Sequence, residues 1–134
     1  MNANSALQQY RNVGNQSAVM DASPHQLVAM LFNGALQRIA EAKGHIDRNE
    51  VSLKGEKISK AIAIVDSLRA SLDHEVGGEV TQNLHSLYDY IESRLMKANL
   101  NSSQEILDEV AGLIREVKSG WDEIPEEMRH KGGK

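Results

Sequence analysis

Cysteine is absent from the 134 residues, which excludes disulfides, thiolate nucleophiles and Cys-ligated zinc or iron–sulfur centres. Proline occurs twice, and one Phe, one Trp and three Tyr are the whole aromatic content. Runs of β-branched residues are few, so a sheet is not expected. No uninterrupted apolar run is long enough to cross a bilayer, and Met1 to Tyr10 has neither a basic n-region nor an apolar h-region, so a cytoplasmic location without membrane insertion is expected. Positive charge is not in excess either. The formal net charge is -4, which repels phosphate backbones and argues against a nucleic-acid partner. Arg129, His130, Lys131 and Lys134 form a basic cluster around two glycines, read as a solvated tail.

What is present is helical periodicity. A chain of this length suits one domain and buries roughly two thirds of its unfolded surface. At roughly 100° per residue, Leu27, Leu31, Ala35, Ile39, Ala42 and Ile46 share one face of a helix beginning at Ser23. Ser23 caps it, Pro24 suits its first position, and Gln26 completes a capping box. Gly44 and the polar run from Asp47 to Ser52 end it. A second stripe is Ile58, Ala61, Ile62, Val65, Leu68 and Leu72, stopping before Gly77 and Gly78, which supply positive φ. A third is Val80, Leu84, Leu87, Tyr88, Ile91, Leu95 and Ala98, with Glu79 at its positive end. Ser102 and Glu105 have capping-box spacing for a fourth, whose stripe is Ile106, Leu107, Val110, Leu113, Ile114, Val117 and Trp121. Pro125 closes the pattern.

Four helices of about 17 to 25 residues with short connections pack antiparallel around one core. The expected fold is therefore all-α: an antiparallel up-and-down four-helix bundle over residues 19–124. A leader precedes it over 1–18 and a flexible tail follows over 125–134. In the leader, Leu7, Tyr10 and Val13 share one side of a short helical segment ending near Gly14, too short to be stable alone.

Catalytic constellations are not found. A di-iron bundle needs inward carboxylates and a Glu-x-x-His motif on each of two helices, whereas here the motif occurs once, from Glu127 to His130 in the tail. Glu41 with His45, His85 with Asp89, and His25 with Asp21 are read as hydrogen-bonding pairs on solvated faces. His74 is read as a cation at a helix end. Neither glycine-rich phosphate loop occurs, and no serine has a base partner. No enzyme activity, metal or cofactor is expected.

Apolar residues off the stripes point to a partner instead. Met30 and Leu36 flank the first stripe, Ile64 falls outside the second, and Tyr90, Met96 and Leu100 fall outside the third. Met adapts to varied surfaces, and Tyr offers apolar area with a polar tip.

The chain resembles the FliS family over nearly its whole length. The resemblance is carried by Tyr10, by Ala22-Ser23-Pro24-His25-Gln26-Leu27-Val28-Ala29-Met30-Leu31, by Lys54-Gly55-Glu56 and by Ser71-Leu72-Asp73. It continues through Gly77-Gly78-Glu79, Asn83-Leu84, Leu87-Tyr88-Asp89-Tyr90, Leu95, Ala98-Asn99-Leu100 and Trp121. Gln9 before Tyr10 and Met20-Asp21 before Ala22 depart from the small residues expected there. The resemblance implies an antiparallel bundle that binds the disordered C-terminal segment of flagellin, prevents premature polymerisation and delivers the client to the flagellar type III export gate. The client surface expected comprises Tyr10, Met30, Ile64, Tyr90, Met96 and Leu100, with Tyr88 and Ile91 supporting the bundle. Leu7, Tyr10 and Val13 are expected to cover part of the groove when it is empty. The protein is expected to be monomeric alone and one-to-one with client. The alternative from a different class is a self-associating structural bundle whose off-stripe residues meet copies of themselves.

Overall fold

A computed structural model of the chain describes residues 23–72 and 78–123, and these form four helices. Helix α1 (Pro24–Asp47) begins as its residues dictate. Ser23 Oγ accepts from the Gln26 amide at 3.1 Å, and Gln26 Oε1 accepts from the Ser23 amide at 2.9 Å. Pro24 takes the first position, where its missing N–H leaves nothing unpaired. Asn49, at φ 58°, then turns the chain into α2 (Val51–Ala70).

Helix α3 (Gly78–Asn101) starts at a glycine with φ 80°, a conformation that glycine adopts without steric cost. Ser102 ends it at φ 48°, and α4 (Gln104–Asp122) follows with Ser103 as its cap, the Ser103 Oγ accepting from the Ile106 amide at 3.1 Å. The cap thus falls one residue after the expected Ser102, because α3 runs through Asn101 and Ser102 supplies the left-handed residue that terminates it.

The helices pack in the order α1–α2–α3–α4 with α4 returning against α1, the up-and-down bundle that short connections favour. One core runs through it. Phe32 and Ile39 of α1, Ile58, Val65 and Leu68 of α2, Ile91 and Leu95 of α3, and Leu107, Val110 and Ile114 of α4 are essentially without solvent contact. Tyr88 and Ile91 are buried in it, as the third stripe requires.

Ile64 corrects the sequence expectation. It is 2% exposed and belongs to the core cluster, so it offers no partner surface. The α1–α2 pairing is the most extensive in the bundle. Small residues line α2 beside Ile64, with Ala63 and Ser67 buried there, and Gly34 of α1 is buried too. Short side chains admit close helix approach, and burial extends around α2 beyond one stripe.

Far ends of the chain are joined by His25 and Trp121. Their rings stack with centroids 4.8 Å apart and planes 8° from parallel. His25 Nε2 lies 2.7 Å from the Trp121 carbonyl, and the Trp121 indole N–H donates to the His25 carbonyl at 3.0 Å. A carbonyl oxygen only accepts, so Nε2 carries the proton in this bond. His25 is therefore a buried clasp between the start of α1 and the end of α4, not the surface group expected; Asp21, its expected partner, lies outside the described residues. His25→Ala removes the stack and both the side-chain donor and its packing. It should cost about 1–3 kcal/mol in urea unfolding followed by Trp121 fluorescence and far-UV circular dichroism.

Candidate partner-binding surface

Among the described residues, Val51, Leu53, Val80, Tyr90, Met96 and Leu100 are the large apolar side chains left exposed. Tyr90, Met96 and Leu100 are those expected outside the third stripe, and they are 45%, 60% and 84% accessible. They do not share one flank, however. Asp89 and Glu92 both pair with Arg69 of α2, at 2.7 and 2.8 Å. Met96 follows them by seven and four residues, and Leu100 follows Met96 by four, so both continue the α2-facing side of α3. Tyr90 and Arg94 both bond to Glu109 of α4, so Tyr90 stands on the opposite flank.

The α2–α3 edge is held in register at both ends. Lys54 is 5% exposed, and its ammonium donates to the Asn99 carbonyl at 2.8 Å and to Ser102 Oγ at 2.7 Å. A cation is well placed against the last carbonyls of a helix, where the dipole is negative. The Asn99 side chain lies 3.7 Å from where a Gly55 Cβ would stand. An alanine there would make ordinary contact, so the glycine leaves a notch open rather than avoiding a clash. Val51 precedes Gly55 by four residues and Ile62 follows it by seven. This half of the edge therefore presents exposed Val51, Met96 and Leu100 with half-buried Ile62.

Val51 was not foreseen, because it falls in the polar run assigned to the first connection. The signal was available in its spacing from Ile58 and Ile62, once the second helix is extended back to it. Leu53 precedes Lys57 by four, and Lys57 lies 3.5 Å from Glu41 of α1, which puts Leu53 on the α1 flank.

The opposite end of the edge is ionic. Arg69 faces Asp66 at 3.6 Å besides Asp89 and Glu92. The Glu92 carboxyl is pushed up to about 7, chiefly by burial and then by hydrogen bonding and charge from Asp66, which together outweigh the attraction of Arg69. On the α4 flank, Tyr90 donates its hydroxyl to Glu109 at 2.5 Å, while Arg94 Nε donates to the same carboxylate at 2.9 Å and lies 6.0 Å from the Tyr90 ring. That hydrogen bond is the main reason the Glu109 carboxyl sits below, and the Tyr90 phenol above, its ordinary range. Burial alone pushes the Tyr88 phenol up to about 12.

The family model for flagellar protein FliS matches residues 6–128. The chain belongs to the FliS family. It is 46% identical over 124 residues to the flagellar secretion chaperone FliSB of Pseudomonas aeruginosa, covering 92% of this chain and 98% of that protein. It is 45% identical over 121 residues to the flagellar secretion chaperone FliS of Salmonella typhimurium, covering 90% of each. Identity to the Bacillus subtilis flagellar secretion chaperone FliS is 30% over 119 residues, 88% of each chain.

Several residues that carry the FliS resemblance are those whose contacts set the edge and the clasp: His25, Lys54, Gly55, Asn99 and Trp121. Met30 is half-buried on α1, which packs against α2 and α4 and lies away from the α2–α3 edge. Leu7, Tyr10, Val13, His74 and the Glu127–His130 pair lie outside the described residues. Instead of pairing with His45, Glu41 takes Arg38 and Lys57, and His45 Nδ1 lies 2.9 Å from Glu50. An open cleft of about 440 Å³ between α1 and α4 is lined by Asn33, Leu36, Arg115, Lys118, Ser119, Asp122 and Glu123. Among the described residues no group of three or more His, Asp or Glu could hold a metal, and no helix is long and apolar enough to cross a membrane.

The Glu92 site gives a pH dependence of definite sign. The folded protein keeps the Glu92 proton up to about pH 7, whereas the unfolded chain releases it near 4.5. Folding therefore takes up a proton between those values, and stability falls as pH rises through them. Glu50 and Glu109, whose carboxyls lie below 4.5 in the fold, contribute the opposite slope only in more acidic solution. Thermal melts between pH 5 and pH 8 should show Tm declining toward pH 8, and Glu92→Gln should flatten that decline.

Proposed function

We propose that this protein is a cytoplasmic flagellar export chaperone. It binds the disordered C-terminal segment of flagellin, holds it from polymerising and presents it to the flagellar type III export gate, performing no chemistry itself. The observation that carries the reading is the exposed apolar edge of Val51, Met96 and Leu100 beside a bundle whose core is already complete without them. An amphipathic client lays its i, i+3, i+4 and i+7 anchors into such an edge. Tyr90, on the other flank of α3, extends the surface so that the client wraps that helix. Ordering a disordered client costs about 2–5 kcal/mol or more, which favours a wide surface over one deep pocket and keeps release possible.

In this reading Leu7, Tyr10 and Val13 of the leader cover part of the groove until the client displaces them. Deletion of residues 1–18 should then leave client affinity equal or tighter; substantial weakening would mean that the leader itself contacts the client.

The central experiment adds a peptide of about the last forty residues of the same organism's flagellin to the purified protein and reads heat and helicity together. A one-to-one complex with negative heat-capacity change and gained helix is expected. Met96→Ser with Leu100→Ser should weaken it by about tenfold while moving Tm little, since both side chains are exposed. No binding at low salt, together with a closed oligomer of the protein alone, would overturn the reading in favour of self-association.

A further inference from the structure

The ionic end of the α2–α3 edge is unbalanced. Every ion pair that Asp66, Asp89 and Glu92 make among the described residues goes to Arg69. One guanidinium thus serves three carboxylates. Asp89 and Glu92 share its Nη2, at 2.7 and 2.8 Å, and Asp66 is left with Nη1 at 3.6 Å. The Asp66 and Asp89 side chains are 56% and 69% exposed, whereas that of Glu92 is 16% exposed and turned inward. With three carboxylates around one guanidinium, the local field favours an incoming cation over an anion.

This acidic end is continuous with the apolar one. On α3, Glu92, Met96 and Leu100 follow one another at intervals of four; on α2, Asp66 and Arg69 follow Ile62 by four and seven. We propose that the α2–α3 edge recognises an amphipathic segment that seats apolar side chains on Val51, Ile62, Met96 and Leu100 and carries a lysine or arginine into the gap between Asp66, Asp89 and Glu92. Glu92 and Leu100 are eight residues apart, about 12 Å along the helix axis. A helical client spans that distance when its basic residue stands seven or eight positions from its apolar anchor. This rests on the client reading above and adds to it the charge and spacing the client must have.

Proton linkage follows from the same geometry. The groups facing Glu92 are Asp66 and Arg69 from α2 and Asp89 from its own helix, and its carboxyl lies near neutrality. A cation entering beside it favours the ionised form, so binding releases a proton and tightens as pH rises from about 6 to 8.

The test uses the full chain and the flagellin C-terminal peptide, with each Lys or Arg of the peptide replaced by Gln in turn. Asp89→Asn with Glu92→Gln should weaken the native peptide about tenfold at low salt, and less at high salt. One peptide substitution should cost a similar factor on the native protein and almost nothing further on the variant, the signature of a direct pair in a double-mutant cycle. Asp89→Asn alone, at an exposed position, repeats the test if the double variant melts early. If the peptide binds but no basic residue and neither carboxylate alters its affinity or pH dependence, the edge reads apolar surface alone and the inference fails while the chaperone reading stands. If the native peptide does not bind, both fail.

Discussion

The ammonium of Lys54, taken out of solvent between two helices, fixes the geometry on which the rest of the surface depends. A buried cation is costly unless its donors are used, and here they reach the Asn99 carbonyl and the Ser102 hydroxyl at the end of α3. The contact satisfies a carbonyl that a helix end leaves open, and it places the first turn of α2 beside the last turn of α3. Fifteen residues further along α2, about 22 Å, the two helices are registered again by Arg69 against Asp89 and Glu92. Between these two fixed points, apolar side chains are held outside the core in a defined row. Lys54 is thus a structural residue whose consequence is an exposed apolar edge.

The bundle also explains why α3 is the helix with the most surface to offer the proposed client. Four of its residues are buried, against seven in α1 and eight in α2. The strong α1–α2 pairing supplies a stable base, while α3 commits a narrow stripe to the core and leaves its two flanks to solvent. Those flanks are chemically different. One runs from Leu100 and Met96 to the Arg69 cluster; the other holds Tyr90 and Arg94 against Glu109. A client that wraps α3 therefore meets an apolar and acidic face on one side, and an aromatic ring already oriented by its hydroxyl on the other.

Much of the fold was legible because helix signals are local. Ser23, Pro24 and Gln26 specify the start of α1 by their own chemistry, and the stripes of α1, α3 and α4 bury or half-bury the residues that periodicity selects, except Val80, which stands 71% exposed in the first turn of α3 beyond the end of α2. The departures all depend on which helix stands beside which. Ile64 leaves solvent because the α1–α2 interface extends around α2, and no periodicity within α2 reveals how closely its neighbour approaches. Tyr90 and Met96 look alike on a wheel, as residues beside a core stripe, yet fall on opposite flanks once α2 and α4 take their places. His25 and Trp121 are 96 positions apart, so their clasp has no local signature. Ser102 yielded the cap to Ser103 because the preceding helix needed a left-handed terminus. Of the expected surface, Met96 and Leu100 were legible as exposed, whereas Val51 and the charged end required the pairing of α2 with α3.

The most direct test of the account is the methyl spectrum of the protein with its methionines isotopically labelled, recorded as flagellin C-terminal peptide is added. The chain has five methionines, and Met96→Leu identifies the one at the centre of the edge. The Met96 methyl resonance should shift in step with complex formation. A complex that forms while Met96 remains unmoved would place the client elsewhere and contradict it.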